Sequence, residues 1–125
     1  MIVADSDVLI DALRGREPAR TQVARSLDAG TLATTTITLF ELWSGARTSR
    51  QQALVEGFLG ALVMLPFDEA ASRAAASLRR ELSARGTPIG MADYLMAGVC
   101  LTRSAALLTR NRSHFERVPG LQFAE

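Results

Sequence analysis

The sequence predicts an α/β fold of three layers, α/β/α, with a short parallel central sheet of four to five strands. Apolar segments of three or four residues alternate along the chain with longer segments whose apolar residues recur at helical spacing. This alternation is typical of βα units, in which helices cover both faces of a parallel sheet. No linker, repeat or low-complexity tract divides the 125 residues, so we expect a single domain over residues 1–125.

The first half of the chain predicts two strands and four helices. Ile2–Ala4 and Leu32–Thr35 have the length and apolar character of short buried strands. Gly15, Pro18 and Gly30 delimit helices, because glycine favours the end of a helix and proline its first turn. We therefore predict helices over residues 6–13, 18–29, 39–46 and 49–59.

The second half continues the same alternation. The apolar run Leu62–Leu65 ends at Pro66 and predicts a third strand. Asp68 is the predicted N-cap of an alanine-rich helix that ends near Arg85. After a loop at residues 86–88, the pattern predicts a central helix over 91–101, a fourth strand over 106–109 and a fifth over 121–123.

Composition limits the classes of partner and compartment. The net charge is +1, and no apolar run approaches the ~20 residues of a membrane span, so we expect no membrane association. All 14 basic residues are arginine, so charged contacts to phosphate must come from guanidinium groups. The start of the chain does not resemble a signal peptide, and Cys100 is the only cysteine, which we place in the core. Both observations favour a cytoplasmic protein.

Three acidic residues lie in or next to apolar segments. Asp5 follows the first predicted strand, while Glu41 and Asp93 lie near predicted helix starts. A carboxylate in apolar surroundings is costly unless it is paired, hydrogen-bonded or bound to a metal. Strand ends and helix starts meet at one edge of a parallel sheet, so we expect the three acids to come together there. Carboxylates grouped in this way suit a hard divalent cation.

Each acid also has a structural interpretation. Asp5 is suited to cap the first helix, and Thr38 and Glu41 have the spacing of a capping box. Asp93 fits the first turn of the central helix. Asp11, in the first helix, is expected to face solvent.

Taken together, four segments resemble the PIN-domain ribonucleases, specifically the VapC toxins of bacterial toxin–antitoxin pairs. The resemblance covers essentially the whole chain, and it depends on the order and spacing of the segments rather than on any one of them. It implies a single PIN domain. The four segments are Met1–Asp11, Thr36–Ala46, Ile89–Ala97 and Leu108–Leu121.

The resemblance assigns the metal ligands and catalytic acids to Asp5, Glu41 and Asp93. The fourth catalytic position, acidic in many members, is Asn111 here, which leaves open whether a second metal binds without substrate. Asp7 stands where the family commonly has Asn or Ser, and it either replaces part of the missing charge or caps the first helix.

Residues next to these positions receive supporting roles. Ser6 and Thr109 are predicted to orient a carboxylate or a metal-bound water. Arg110 and Arg112 flank Asn111 and are predicted to bind RNA phosphates. We assign no general-acid role to the sole histidine, His114. Phe40 and Trp43 lie on either side of Glu41 and are expected in the core or at a partner interface rather than under RNA bases.

The implied function is endonucleolytic hydrolysis of RNA by a water molecule activated by Mg²⁺, or alternatively by Mn²⁺. The implied products carry 5′-phosphate and 3′-hydroxyl ends. The implied partners are a VapB-like antitoxin and a second copy of the chain in a homodimer, with operator DNA bound only through the antitoxin. Apolar residues around 39–43 and 54–62 are candidates for these interfaces.

Two other functions remain at this stage. A catalytically weak PIN-like module would bind RNA or antitoxin without cutting, and the uncharged Asn111 favours it. A haloacid-dehalogenase-type phosphatase is suggested by Asp5-Ser6-Asp7 after the first strand. Against the phosphatase, Val8 stands where a glycine often follows, and the chain has no lysine to bind phosphate.

Overall fold

The computed structural model describes all 125 residues. Five strands and seven helices follow one another as β1 (Ile2–Ala4), α1 (Ser6–Leu13), α2 (Ala19–Asp28), β2 (Leu32–Thr35), α3 (Thr36–Gly45), α4 (Ser49–Leu59), β3 (Val63–Leu65), α5 (Glu69–Ala84), α6 (Met91–Arg103), β4 (Ala106–Leu108), α7 (Arg112–Phe115) and β5 (Gln122–Phe123). None of these helices has the length and apolar character needed to cross a membrane.

The five strands form one parallel sheet in the order β3-β2-β1-β4-β5. The chain adds β2 and β3 on one side of β1 and then returns to add β4 and β5 on the other side. In open parallel sheets, ligands bind outside the carboxyl ends of the strands at such a reversal. The residues that follow Ala4 and Leu108 therefore lie where a ligand is expected to bind.

Side chains of the central strands alternate between two cores, which confirms the predicted three layers. Val3 and Leu107 belong to the core shared with α5 and α6, whereas Ala4 and Leu108 belong to the core shared with α1 to α4. All four residues are at most 3% exposed. Because successive residues of a strand point to opposite faces, each strand needs apolar residues at every position to fill both cores.

Helices α5 and α6 pack at very short distance. A Cβ atom on Gly98 would lie 2.5 Å from the carbonyl oxygen of Ala71 and 2.9 Å from Cβ of Ala75. Only glycine fits at this point of α6. Cys100, two residues farther along, is buried as predicted, and burial raises the pKa of its thiol to about 12.

The predicted boundaries hold for most elements, but α3 begins earlier than expected. Thr35 ends β2 and also caps α3, because its hydroxyl accepts a hydrogen bond from the amide of Thr38 at 3.2 Å. The predicted capping box of Thr38 and Glu41 is therefore wrong, and Glu41 lies in the middle of the helix rather than near its start. The short helix α7 was not predicted.

Candidate active site

The acidic edge of the sheet, formed by Asp5, Asp7, Glu41 and Asp93, begins with the residue that follows β1. Asp5 is the N-cap of α1, and its Oδ1 accepts a hydrogen bond from the amide of Ser6 at 2.8 Å. Its Oδ2 accepts a hydrogen bond from the hydroxyl of Thr109, the residue that follows β4, at 2.9 Å. Asp5 thus caps a helix, as one interpretation predicted, while its second oxygen lies at the predicted site.

Burial makes the Asp5 carboxylate costly to ionise. The residue is 9% exposed, and burial together with the charge of Asp7 raises its pKa to about 6. The hydrogen bonds from Thr109 and Ser6 act in the opposite direction, and the charge of Asp93 adds a smaller increase. The two charges that raise this pKa belong to Asp7 of α1 and Asp93 of α6, so both acids lie near Asp5.

Glu41 and Asp93 approach the same edge from α3 and α6. Burial raises the pKa of Glu41, the Ser6 hydroxyl lowers it, and the charges of Asp93 and Asp7 raise it further. Asp93 lies in the first turn of α6, whose N-cap, Gly90, provides no side-chain hydrogen bond. The pKa of Asp93 is raised by burial, and the charge of Asp7 adds to that increase while His114 opposes it.

Asp7 completes the group of acids. Its Oδ2 accepts a hydrogen bond from the amide of Arg110 at 3.2 Å, whereas its Oδ1 is buried without a hydrogen-bond partner. Burial raises the pKa of Asp7 as well. Since Asp5 is the cap of α1, the suggestion that Asp7 caps this helix is wrong, and Asp7 instead adds charge to the acidic edge.

The four side chains fit a divalent cation by their chemistry. All four supply carboxylate oxygens, repulsion from other acids of the edge contributes to the raised pKa values of Asp5, Glu41 and Asp93, and one buried oxygen of Asp7 has no partner. As they stand, no three acidic, histidine or cysteine side chains are close enough to hold a metal ion together. Asp5 and Asp7 are held by hydrogen bonds from backbone amides, whereas Glu41 and Asp93 have none, so these two side chains are the freer to approach a shared cation.

Asn111 and His114 lie beside Asp93. The amide nitrogen of the Asn111 side chain is 2.8 Å from Nδ1 of His114, and the same Nδ1 lies 3.8 Å from Oδ2 of Asp93. The backbone amide of Asn111 donates to the hydroxyl of Thr109 at 3.0 Å. His114 is the neighbour of the acidic site that sequence analysis left unassigned, and its status as the only histidine was the available signal.

The two arginines next to Asn111 make contacts within the molecule. Arg110 forms an ion pair with Asp11, whose side chain is only 10% exposed, so the expectation that Asp11 faces solvent is wrong. The guanidinium group of Arg112 lies over the ring of Phe123 at 4.6 Å from its centroid. Their predicted contacts with RNA phosphates stay predictions.

An apolar groove runs beside Glu41, between α1, α3 and α4. Its cavity measures about 330 Å³ and is lined mainly by Ile10, Leu13, Leu42, Leu54, Val55 and the stem of Glu41. Phe40, Trp43 and Leu54 are 71%, 43% and 58% exposed. Phe40 and Trp43 are therefore absent from the core, and their place at a partner interface stays a prediction.

Comparison with known proteins agrees with this architecture. The family model described as "PIN domain" matches residues 2–121. The chain belongs to the PIN-domain family. It is 33% identical to a tRNA(fMet)-specific endonuclease VapC of Shigella flexneri, over 94% of this chain and 92% of that relative. This membership confirms the resemblance and decides against the phosphatase alternative.

Solved structures extend the comparison to the fold. The fold of this chain resembles that of a chain in the DNA-bound VapBC complex of Salmonella typhimurium, with a TM-score of 0.89, 31% identity and coverage of 98% and 96% of the two chains. A chain of VapBC2 from Rickettsia felis, bound to a promoter DNA fragment, also has a TM-score of 0.89, at 25% identity and coverage of 99% and 98%. The predicted PIN-like α/β/α fold is confirmed.

Proposed function

We propose that this PIN-domain chain is a divalent-metal-dependent endoribonuclease and the toxin of a VapBC-type toxin–antitoxin pair. The observation that supports the chemistry most directly is the acidic edge at the reversal between β1 and β4, where partial burial and neighbouring carboxylate charges raise the pKa values of Asp5, Glu41 and Asp93. The similarity to VapC ribonucleases over nearly the full chain supports RNA as the substrate.

Each acid has a defined role in this proposal. Asp5, Glu41 and Asp93 would hold Mg²⁺, or alternatively Mn²⁺, and Asn111 offers an uncharged fourth contact. Bound Mg²⁺ lowers the pKa of a coordinated water and neutralises charge on phosphate oxygens. Thr109 holds Oδ2 of Asp5 by its hydroxyl, so the Asp5 carboxylate keeps one orientation while substrate binds.

We propose that a VapB-like antitoxin binds in the apolar groove. Phe40, Trp43 and Leu54 expose apolar surface next to Glu41, so a segment that covered them would also cover the acidic edge. Two of the similar solved structures are VapBC complexes bound to DNA. We propose that two copies of the chain form a homodimer and that this homodimer assembles with the antitoxin. In the complex, operator DNA is bound only through the antitoxin.

The decisive experiment uses purified chain free of antitoxin. It is incubated with total RNA, with tRNA(fMet) as a separate substrate because similar enzymes are named for that tRNA. Reactions contain Mg²⁺, Mn²⁺ or EDTA. We expect cleavage that requires the metal and leaves 5′-phosphate ends, and we expect Asp5→Ala and Asp93→Ala to abolish it. Glu81→Gln, on the far side of α5, is the matched control and should cut like the parent chain.

Two outcomes would overturn parts of the proposal. Intact RNA under every metal would favour the non-catalytic binding module, for which the uncharged Asn111 is the supporting observation. An unchanged cleavage pattern in Asp93→Ala would show that the acidic edge is not the catalytic site.

A further inference from the structure

Asp11 is a buried carboxylate that lies outside the acidic edge. It is 7% exposed and stands on α1, six positions after Asp5. Its Oδ2 is 2.5 Å from Nη1 of Arg110, a residue 99 positions away in the chain. A buried carboxylate requires a partner, and Arg110 is the only cation paired with this one.

The pair is part of a larger set of contacts between α1 and the residues that follow β4. Besides its side-chain contact, Arg110 donates its backbone amide to Asp7 at 3.2 Å. Thr109 donates its hydroxyl to Asp5 at 2.9 Å, and the amide of Asn111 donates back to that hydroxyl at 3.0 Å. The segment Thr109–Asn111, here named the β4 loop, is thus tied to three acids of the α1 region.

The side-chain contact of Arg110 differs from the other contacts of the β4 loop in charge and in position. The guanidinium–carboxylate contact joins two opposite charges, whereas the hydroxyl of Thr109 and the amide of Arg110 are neutral donors to their carboxylates. The Arg110 side chain is 60% exposed whereas the Asp11 side chain is 10% exposed, so the fixed point is the buried acid. The arginine therefore secures the loop from its solvent side.

We infer that Arg110 is a positioning residue, held by Asp11, that keeps the β4 loop in place for catalysis. The inference rests on the proposed function, since the loop places Thr109 against Asp5 and Asn111 beside Asp93. Neither residue belongs to the apolar cores, so we expect loss of the pair to loosen the loop rather than to disrupt the sheet. The Thr109 hydroxyl then no longer holds one orientation of the Asp5 carboxylate.

A different role for Arg110 makes a different prediction. An arginine that contacts RNA phosphate directly would act through substrate binding, and its partner Asp11 would be dispensable. A positioning pair instead changes kcat, the rate at which bound RNA is cleaved. Removal of either partner then has the same effect. Double-mutant analysis of Asp11→Asn and Arg110→Gln separates these roles.

The test measures two quantities on the full-length chain. The first is the cleavage of an RNA oligonucleotide, resolved into kcat and KM. The second is Mn²⁺ binding by calorimetry without RNA, which reports on the site whether or not the chain cuts RNA. The variants are Asp11→Asn, Arg110→Gln, their combination, and the conservative Arg110→Lys. Glu81→Gln is the matched control, because Glu81 and Arg85 form a similar pair of 2.6 Å on the surface of α5.

We expect kcat to fall about 10-fold or more in each single variant, as for other residues that orient a metal ligand, and by no more in the double variant. The Kd for Mn²⁺ should rise by about the same factor, and KM should change less than about twofold. Arg110→Lys should recover part of kcat, and Glu81→Gln should match the parent chain. Amide exchange at Asn111 should be faster in both single variants.

Three results would overturn the inference. Additive losses in the double variant would show that the two residues act separately. A raised KM in Arg110→Gln with normal kinetics in Asp11→Asn would assign Arg110 to RNA contact. Parent-like Mn²⁺ affinity and parent-like amide exchange in Arg110→Gln would also overturn the inference, even if the parent chain cut no RNA. Since the Arg110 side chain is largely exposed, this variant remains informative should Asp11→Asn not fold.

Discussion

Helix α6 joins two regions that are built in opposite ways. At its first turn, Asp93 belongs to the acidic edge, where burial and like charges raise pKa values. Five residues farther along, Gly98 lies against Ala71 and Ala75 of α5, where no side chain separates the helices. The first region is polar and electrostatically unfavourable, and the second is apolar and closely packed.

The two regions have opposite effects on the stability of the folded chain. The pKa of Asp5 is raised from 3.8 to about 6, so its ionisation opposes folding by about 3 kcal/mol in the absence of a cation. Close contact between α5 and α6 acts in the stabilising direction, because packed interiors gain dispersion energy and bury apolar area. Substitution in the two regions should therefore have opposite effects on stability.

Asp5→Asn should produce the largest effect on activity and yet stabilise the metal-free chain. We expect RNA cleavage to fall by about 10³-fold, since electrostatic groups at reaction centres contribute on this scale. Unfolding in urea with EDTA at pH 7.5 should show a gain of about 1–3 kcal/mol, because the ionised carboxylate is removed. Glu56→Gln, an exposed acid of α4, is the control and should change neither quantity. Loss of stability in Asp5→Asn would contradict the contrast.

Gly98→Ala should do the reverse at the contact of α5 with α6. The added Cβ would lie 2.5 Å from a backbone oxygen, so the helices must separate, and we expect a loss of about 2–4 kcal/mol. The measurement is the urea midpoint with EDTA. Gly57→Ala in α4 is matched to it, because a Cβ there meets nothing within 4 Å, and it should be neutral or stabilising by up to about 1 kcal/mol. Equal stability of the two variants would refute the close contact.

The pH dependence of stability sharpens the same comparison. The pKa of Asp5 is raised from 3.8 to about 6 in the folded chain, so its stabilising contribution is complete below pH 3.8 and is lost as pH rises through 6. The advantage of Asp5→Asn over the parent chain should therefore grow between pH 4.5 and 7.5, by about 2 kcal/mol without metal. Saturating Mg²⁺ should diminish it, because the cation stabilises the ionised form. A constant difference across this range would contradict the raised pKa.

Local signals determined which elements were predictable. The strand at Leu32–Thr35 and the helix at Ser6–Leu13 were predicted with their observed boundaries, because an apolar run and an N-cap are features of neighbouring residues. The start of α3 was missed because Thr35 serves both the strand and the helix cap, and no turn residues separate them. The four residues of α7 are too few for helical periodicity to show.

The candidate acids could be named from the sequence, and their catalytic role stays a prediction, but their contacts could not be foreseen. Asp5, Glu41 and Asp93 followed from the topology and from a family resemblance. The pairing of Asp11 with Arg110 joins residues 99 positions apart, and a single sequence contains no signal for such a pair. Asp11 was consequently predicted on the surface, since an acid at a helical position is ordinarily solvated.

Arg112 provides the smallest and most specific test, because it belongs to neither of the two contrasted regions. Its guanidinium group stacks on Phe123, and this arrangement leaves the in-plane N–H groups free to contact phosphate. We expect Arg112→Ala to lower stability by only about 0.5–1 kcal/mol. KM for RNA should rise a few-fold at low salt and less at high salt, with kcat unchanged, since a phosphate contact weakens as salt increases. A change in kcat without a change in KM would instead place Arg112 with the loop that Arg110 secures.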